Sequence, residues 1–147
     1  MIKANEMLSK LRGDEPDDAQ IEAYYGSTLV LLGRDATRVL DRVDKAEEGL
    51  EALNRAVALD PNHKVVRFLR GSICLRLPES FFQCSTTAIE DFLFLLERYE
   101  GNSGYLTSKQ AREAMRNLSE AYRNAGSPDQ ADIAIQKLVL WEQDKNK

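Results

Sequence analysis

The chain of 147 residues is 43% hydrophobic and 30% charged, the balance of an ordinary globular protein long enough to bury a core. Its net charge of -4 argues against a general nucleic-acid surface, because neutralising phosphates takes a basic stripe. No apolar run approaches a membrane span in length, and the opening MIKANEMLSKLRGDEPDD lacks the apolar core and small-residue cleavage site of a secretory signal.

In chain order, residues 2–12 form a short amphipathic helix on Ile2, Met7, Leu8 and Leu11. GDEPDD then links it to a helix starting near Asp17, with Pro16 in its first turn and Asp17 and Asp18 favoured by the positive helix end. That helix reaches Leu32 on Tyr24, Tyr25, Leu29 and Leu32, and Gly26 permits close approach of a neighbour. GRDATRVLD interrupts the pattern before a long helix from about Arg42 to Leu59. Pro61 and Asn62 make a joint, and His63 to Leu77 form the next helix, which Pro78 ends. PESFFQCS is irregular, with two adjacent phenylalanines where a tight turn is expected. A helix follows over Thr86 to Tyr99, with Ala88, Phe92 and Leu95 on one face; Gly101 stops it, and Thr107 or Ser108 caps the next. The last two helices meet at Gly126-Ser127-Pro128-Asp129 and end in the charged tail EQDKNK.

The stretch GLEALNRAVALDP sets small Gly49, bulky Leu53 and small Ala56 on one face before Asp60-Pro61. Leu118, Ser119, Tyr122, Ala131, Ile135 and Leu138 repeat such an alternation without a gap. This order of small and large residues resembles the tetratricopeptide-repeat (TPR) family. The resemblance covers about residues 18–143 and implies an all-α fold, a superhelical stack of about three antiparallel helix pairs plus the N-terminal helix. It implies a single domain over 1–147 with repeat-like units at 18–61, 62–100 and 107–143. Gly26 and Gly49 stand almost twice as far apart as in a standard repeat of this family, so an insertion of one or two helical turns is expected in the first pair.

In that family the front helices line a groove that receives a peptide or helix of another protein. Carried onto this chain, the groove comprises Ala23, Ser27 and Val30, then Phe68, Ser72 and Leu75, then Glu113, Arg116, Glu120 and Arg123. Phe68 and Leu75 would anchor an apolar segment while Arg116, Glu120 and Arg123 set its orientation through charge. The chaperone-clamp subclass of the family needs lysines that the positions Ala23, Ser27, Leu69, Ser72, Glu113 and Asn117 do not supply.

Arg67 and Arg70 share a helix face and admit two readings, a structural pair with Glu90 or Asp91 or a small-anion site. His63 has no patterned partner and sits at a helix start, where capping or surface duty is expected. Cys74 and Cys84 form no CxxC and read as reduced, buried thiols of a cytoplasmic protein rather than metal ligands. Tyr24, Tyr25 and Tyr122 read as core, and Trp141 as an apolar flank near the end of the last helix. No catalytic motif is present, so the expectation is a non-catalytic adaptor or scaffold with no cofactor, binding another protein rather than nucleic acid or membrane. Two alternatives stay open: self-association as a homodimer around Leu138 and Trp141, and a small-anion accessory role beside Arg67 and Arg70.

Overall fold

The computed structural model describes residues 2–145; the final two residues of the charged tail lie outside the described residues. The fold is all-α, with eight helices and no strand among the described residues. They are α1 (Ile2–Asp14), α2 (Ala19–Arg34), α3 (Val39–Leu59), α4 (Lys64–Arg76), α5 (Glu79–Phe82), α6 (Ser85–Gly101), α7 (Ser108–Asn124) and α8 (Pro128–Lys145). The chain divides into two compact units, one up to Ile73 and one from Cys74, the division falling inside α4.

In the first unit, α2 packs against both α1 and α3. The close approach of α2 and α3 rests on two glycines facing each other. A Cβ placed on Gly26 would lie 2.6 Å from the Gly49 carbonyl oxygen, and one on Gly49 would lie 2.5 Å from that of Gly26. Around this crossing Ala46, Ala52, Leu53, Ala56 and Val57 of α3 are buried, and Tyr25, Leu29 and Ala52 form a cluster onto which Leu8 of α1 packs. The small-large-small order of Gly49, Leu53 and Ala56 is therefore the surface that receives α2.

The extra residues of the first pair do not make a separate excursion. They lengthen the helices, α3 reaching 21 residues and starting at Val39 rather than Arg42. Pro16 lies outside α2, not in its first turn. Asp18 is extended at φ -83 and accepts a hydrogen bond from the Ile21 amide at 3.0 Å, so the aspartate caps the helix that Pro16 was expected to open. Tyr24 is 39% exposed; it faces solvent while its neighbour Tyr25 enters the core, since adjacent helical positions point about 100° apart.

In the second unit, α7 packs against α6 and α8. Ala88, Phe92, Leu95 and Leu96 of α6, Ala111, Ala114, Met115, Leu118 and Ala121 of α7, and Ala131, Ala134 and Leu138 of α8 are buried. Ser119, also buried, donates its hydroxyl to the Ala131 carbonyl at 2.9 Å and ties α7 to α8. The turn between them is a Schellman closure: the Gly126 amide donates to Arg123 and the Ser127 amide to Tyr122, with Gly126 at φ 82. PESFFQCS holds the one-turn helix α5, ended by Gln83 in the left-handed region at φ 51.

The two units tie their ends alike. Arg12 and Arg55, near the C-terminal ends of α1 and α3, both reach Glu22 at the start of α2. Tyr99 and Trp141, near the C-terminal ends of α6 and α8, meet edge to face with ring centroids 5.7 Å apart. One tie is ionic and the other aromatic.

Candidate functional site

Helix α7 is set by a full capping box. Thr107 accepts from the Gln110 amide, and the Gln110 side chain accepts from the Thr107 amide, each at 3.0 Å. With the start fixed, the alanine and leucine stripe turns into the unit, and Glu113, Arg116, Glu120 and Arg123 stay exposed. Their spacing of three, four and three residues places them on one face in alternating sign. Arg123 also reaches Asp132 of α8 at 3.2 Å, with both side chains more than half exposed. Such a pair contributes little to stability, so its charge remains accessible to a partner.

The remaining groove positions differ. Ala23 is wholly buried, and Ser27 is buried with its hydroxyl donated to the Ala23 carbonyl at 2.9 Å. Neither offers surface to a ligand. Val30, Phe68, Ser72 and Leu75 are half-buried. Arg67 and Arg70 are each 7% exposed; Arg67 donates to the Pro61 carbonyl at 2.9 Å, and Arg70 to the Asn54 side chain at 3.2 Å. Asp91 is wholly buried and Glu90 exposed. At the start of α4, His63 accepts from the Val66 amide at 3.4 Å, a capping duty.

No protein-family model, no curated protein and no solved structure gives a match. Among the described residues no group of three His, Cys, Asp or Glu could hold a metal ion, and no helix is long and apolar enough to cross a membrane.

Cys74 and Cys84 are both buried as free thiols, and Cys84 donates to the Cys74 carbonyl at 3.4 Å. The side-chain hydrogen bond with Cys74 holds the Cys84 thiol below its ordinary value, against burial and the nearby Glu79 carboxylate. On α8, Leu138 is buried and Trp141 half-buried against Tyr99, so the apolar residues that reach solvent are Ile133, Val139 and Leu140.

Sequence reading misses the Glu22 cluster. Glu22 is 4% exposed, yet accepts four charge-assisted hydrogen bonds of 2.8 to 3.0 Å, two from Arg12 and two from Arg55. Burial pushes its carboxyl up, but the hydrogen bonds from both arginines outweigh that and hold it below the usual glutamate value. The same contact with Glu22 raises Arg12. Next to this cluster lies a cavity of about 480 Å³ with Ser9, Gly13, Pro16, Ala58 and Leu59 in its walls. The one available signal was that Glu22 is the single charge in the run from Ala19 to Gly33. In the second unit a cavity of about 280 Å³ is bordered by Leu93, Glu97, Met115, Tyr122, Ile133 and Lys137. Burial there raises the Tyr122 phenol above its ordinary value.

Proposed function

We propose that this chain is a non-catalytic, TPR-like protein-interaction module of the cytoplasm, an adaptor or scaffold that takes a peptide or helix of another protein along its front helices. The exposed face of α7 carries the reading: Glu113, Arg116, Glu120 and Arg123 present alternating charge from a helix whose opposite face is buried. Charge arranged in this way sets the orientation and encounter rate of a partner more than it adds affinity. The half-buried Leu75, in the same unit as α7, supplies an apolar component. The interlock of Gly26 with Gly49 supports the TPR-like pairing.

The test is a quantitative pull-down comparing the wild type with an Arg116→Glu, Arg123→Glu double variant whose helicity is checked by circular dichroism. A specific partner captured by the wild type is expected to lose at least about tenfold in affinity, since like charges now meet across the contact. Unchanged affinity in a folded variant removes the α7 face from the site. Self-association is the second reading. It rests on Ile133, Val139 and Leu140 being exposed on α8, and a constant monomer mass by light scattering at rising concentration would dispose of it.

A further inference from the structure

Helix α1 is held in an unusual way. None of its residues is fully buried, and Ile2, Met7 and Leu11 are exposed. Three side chains at a spacing of three and four residues attach it to α2. Asn5 donates its amide to the Thr28 hydroxyl at 3.0 Å. Leu8 packs on the cluster of Tyr25, Leu29 and Ala52. Arg12 forms a two-pronged contact with Glu22 and lies over the Tyr25 ring at 4.1 Å. Beside this attachment, Ser9, Arg12 and Gly13 form part of the wall of the 480 Å³ cavity.

A buried carboxylate stripped of its only cation carries a large penalty. Glu22 would not be stripped if α1 left, because Arg55 donates both Nε and Nη2 to its Oε1 independently of α1. The face under α1 therefore keeps a compensated carboxylate, an apolar cluster and a hydroxyl acceptor whether or not α1 covers it.

We infer that this face of α2 is an exchangeable helix seat, on which α1 holds the place of a helix from another protein. The partner helix carries a side-chain amide, then leucine or a similar apolar residue three positions on, then arginine four beyond that. Each group answers one feature of the seat: the amide meets Thr28, the apolar residue meets Tyr25, Leu29 and Ala52, and the arginine meets Glu22 and the Tyr25 ring. Lysine does not replace the arginine, because a point charge cannot make the two-pronged contact or stack on the ring. This seat lies on the Glu22, Tyr25 and Leu29 side of α2 and is independent of the α7 face.

The experiment titrates two labelled peptides into the full-length chain by fluorescence anisotropy. One has the sequence of residues 2–14; the other is an alanine-rich host helix bearing only asparagine, leucine and arginine at the spacing of Asn5, Leu8 and Arg12. Both are expected to bind. Their affinity should rise about tenfold for a full-length Arg12→Ala chain, whose own α1 competes less for the seat. A host peptide with lysine for arginine should lose most of its binding. An Asn5→Ala chain, which removes a single hydrogen bond, provides a second loosened variant should Arg12→Ala alter the circular dichroism. No binding to any of the three chains overturns the proposal, as does equal binding to wild type and loosened variants. A dimer formed by exchange of α1 between copies, with the host peptide excluded, overturns the assignment to another protein's helix.

Discussion

Gly26 and Gly49 are where one atom decides how two helices meet. A methyl group at Gly26 would stand 2.6 Å from the Gly49 carbonyl oxygen and 3.0 Å from the Ala52 Cβ. The obstructing oxygen is backbone and moves only if α3 moves. Alanine normally improves a helix over glycine by about 1 kcal/mol, but forcing atoms into a filled crossing costs about 1–3 kcal/mol. Here the clash wins, because no side chain can rotate out of the way. Gly26→Ala is expected to lower the urea midpoint, with a net loss of up to about 2 kcal/mol. Gly13, inside α1, would bring its new Cβ within 4 Å of nothing. Gly13→Ala should therefore act through helix propensity alone and stabilise by about 0.5–1 kcal/mol. Two glycine-to-alanine changes with the same sign would contradict this account. The crossing was legible because small residues recur at fixed places in an apolar stripe. The Glu22 cluster was not, since Arg12 and Arg55 stand 10 and 33 residues away along the chain and no periodicity links them.

At the scale of elements, legibility follows the caps. Helix α7 is bounded by a capping box at one end and a Schellman turn at the other, and both are written in local residue types, Thr107 with Gln110 and then Gly126. Helix α3 starts at Val39 with no side-chain cap on Arg38, so nothing in the sequence marked where the insertion turned helical. Helix α5 is tied to the start of α6 instead: Glu79 accepts from the Ser85 amide at 3.0 Å and from its hydroxyl. The α7 cap can be tested directly. Thr107 is exposed, so Thr107→Ala removes the cap with little loss of packing and should cost about 1 kcal/mol. Thr107→Ser should recover most of it. If alanine and serine give the same urea midpoint, the hydroxyl is not what holds the first turn.

At the scale of the whole molecule, the two units repeat one plan, a central helix between two flanking helices, and close it with different chemistry. The Tyr99–Trp141 contact is between two rings and involves no carboxylate. The Arg12–Glu22–Arg55 tie depends on a carboxylate. Its arginines keep 32% and 50% of their side-chain surface exposed, so breaking it should cost about 2 kcal/mol rather than the larger penalty of a fully buried pair. Because Glu22 titrates below its ordinary value of 4.5 in the folded chain, the unfolded state binds its proton first as acid is added. The contribution is therefore complete above that value and disappears as pH falls through the lower, folded one. Arg12 and Arg55 face the carboxyl, and the Tyr25 ring and Glu48 lie near Arg12. Urea unfolding of wild type and Glu22→Gln should accordingly differ by a constant amount from pH 7 down to about 5 and by a steadily shrinking amount as the pH falls further. A difference that persists unchanged at pH 3 would mean that Glu22 acts through shape and hydrogen bonding rather than through its charge.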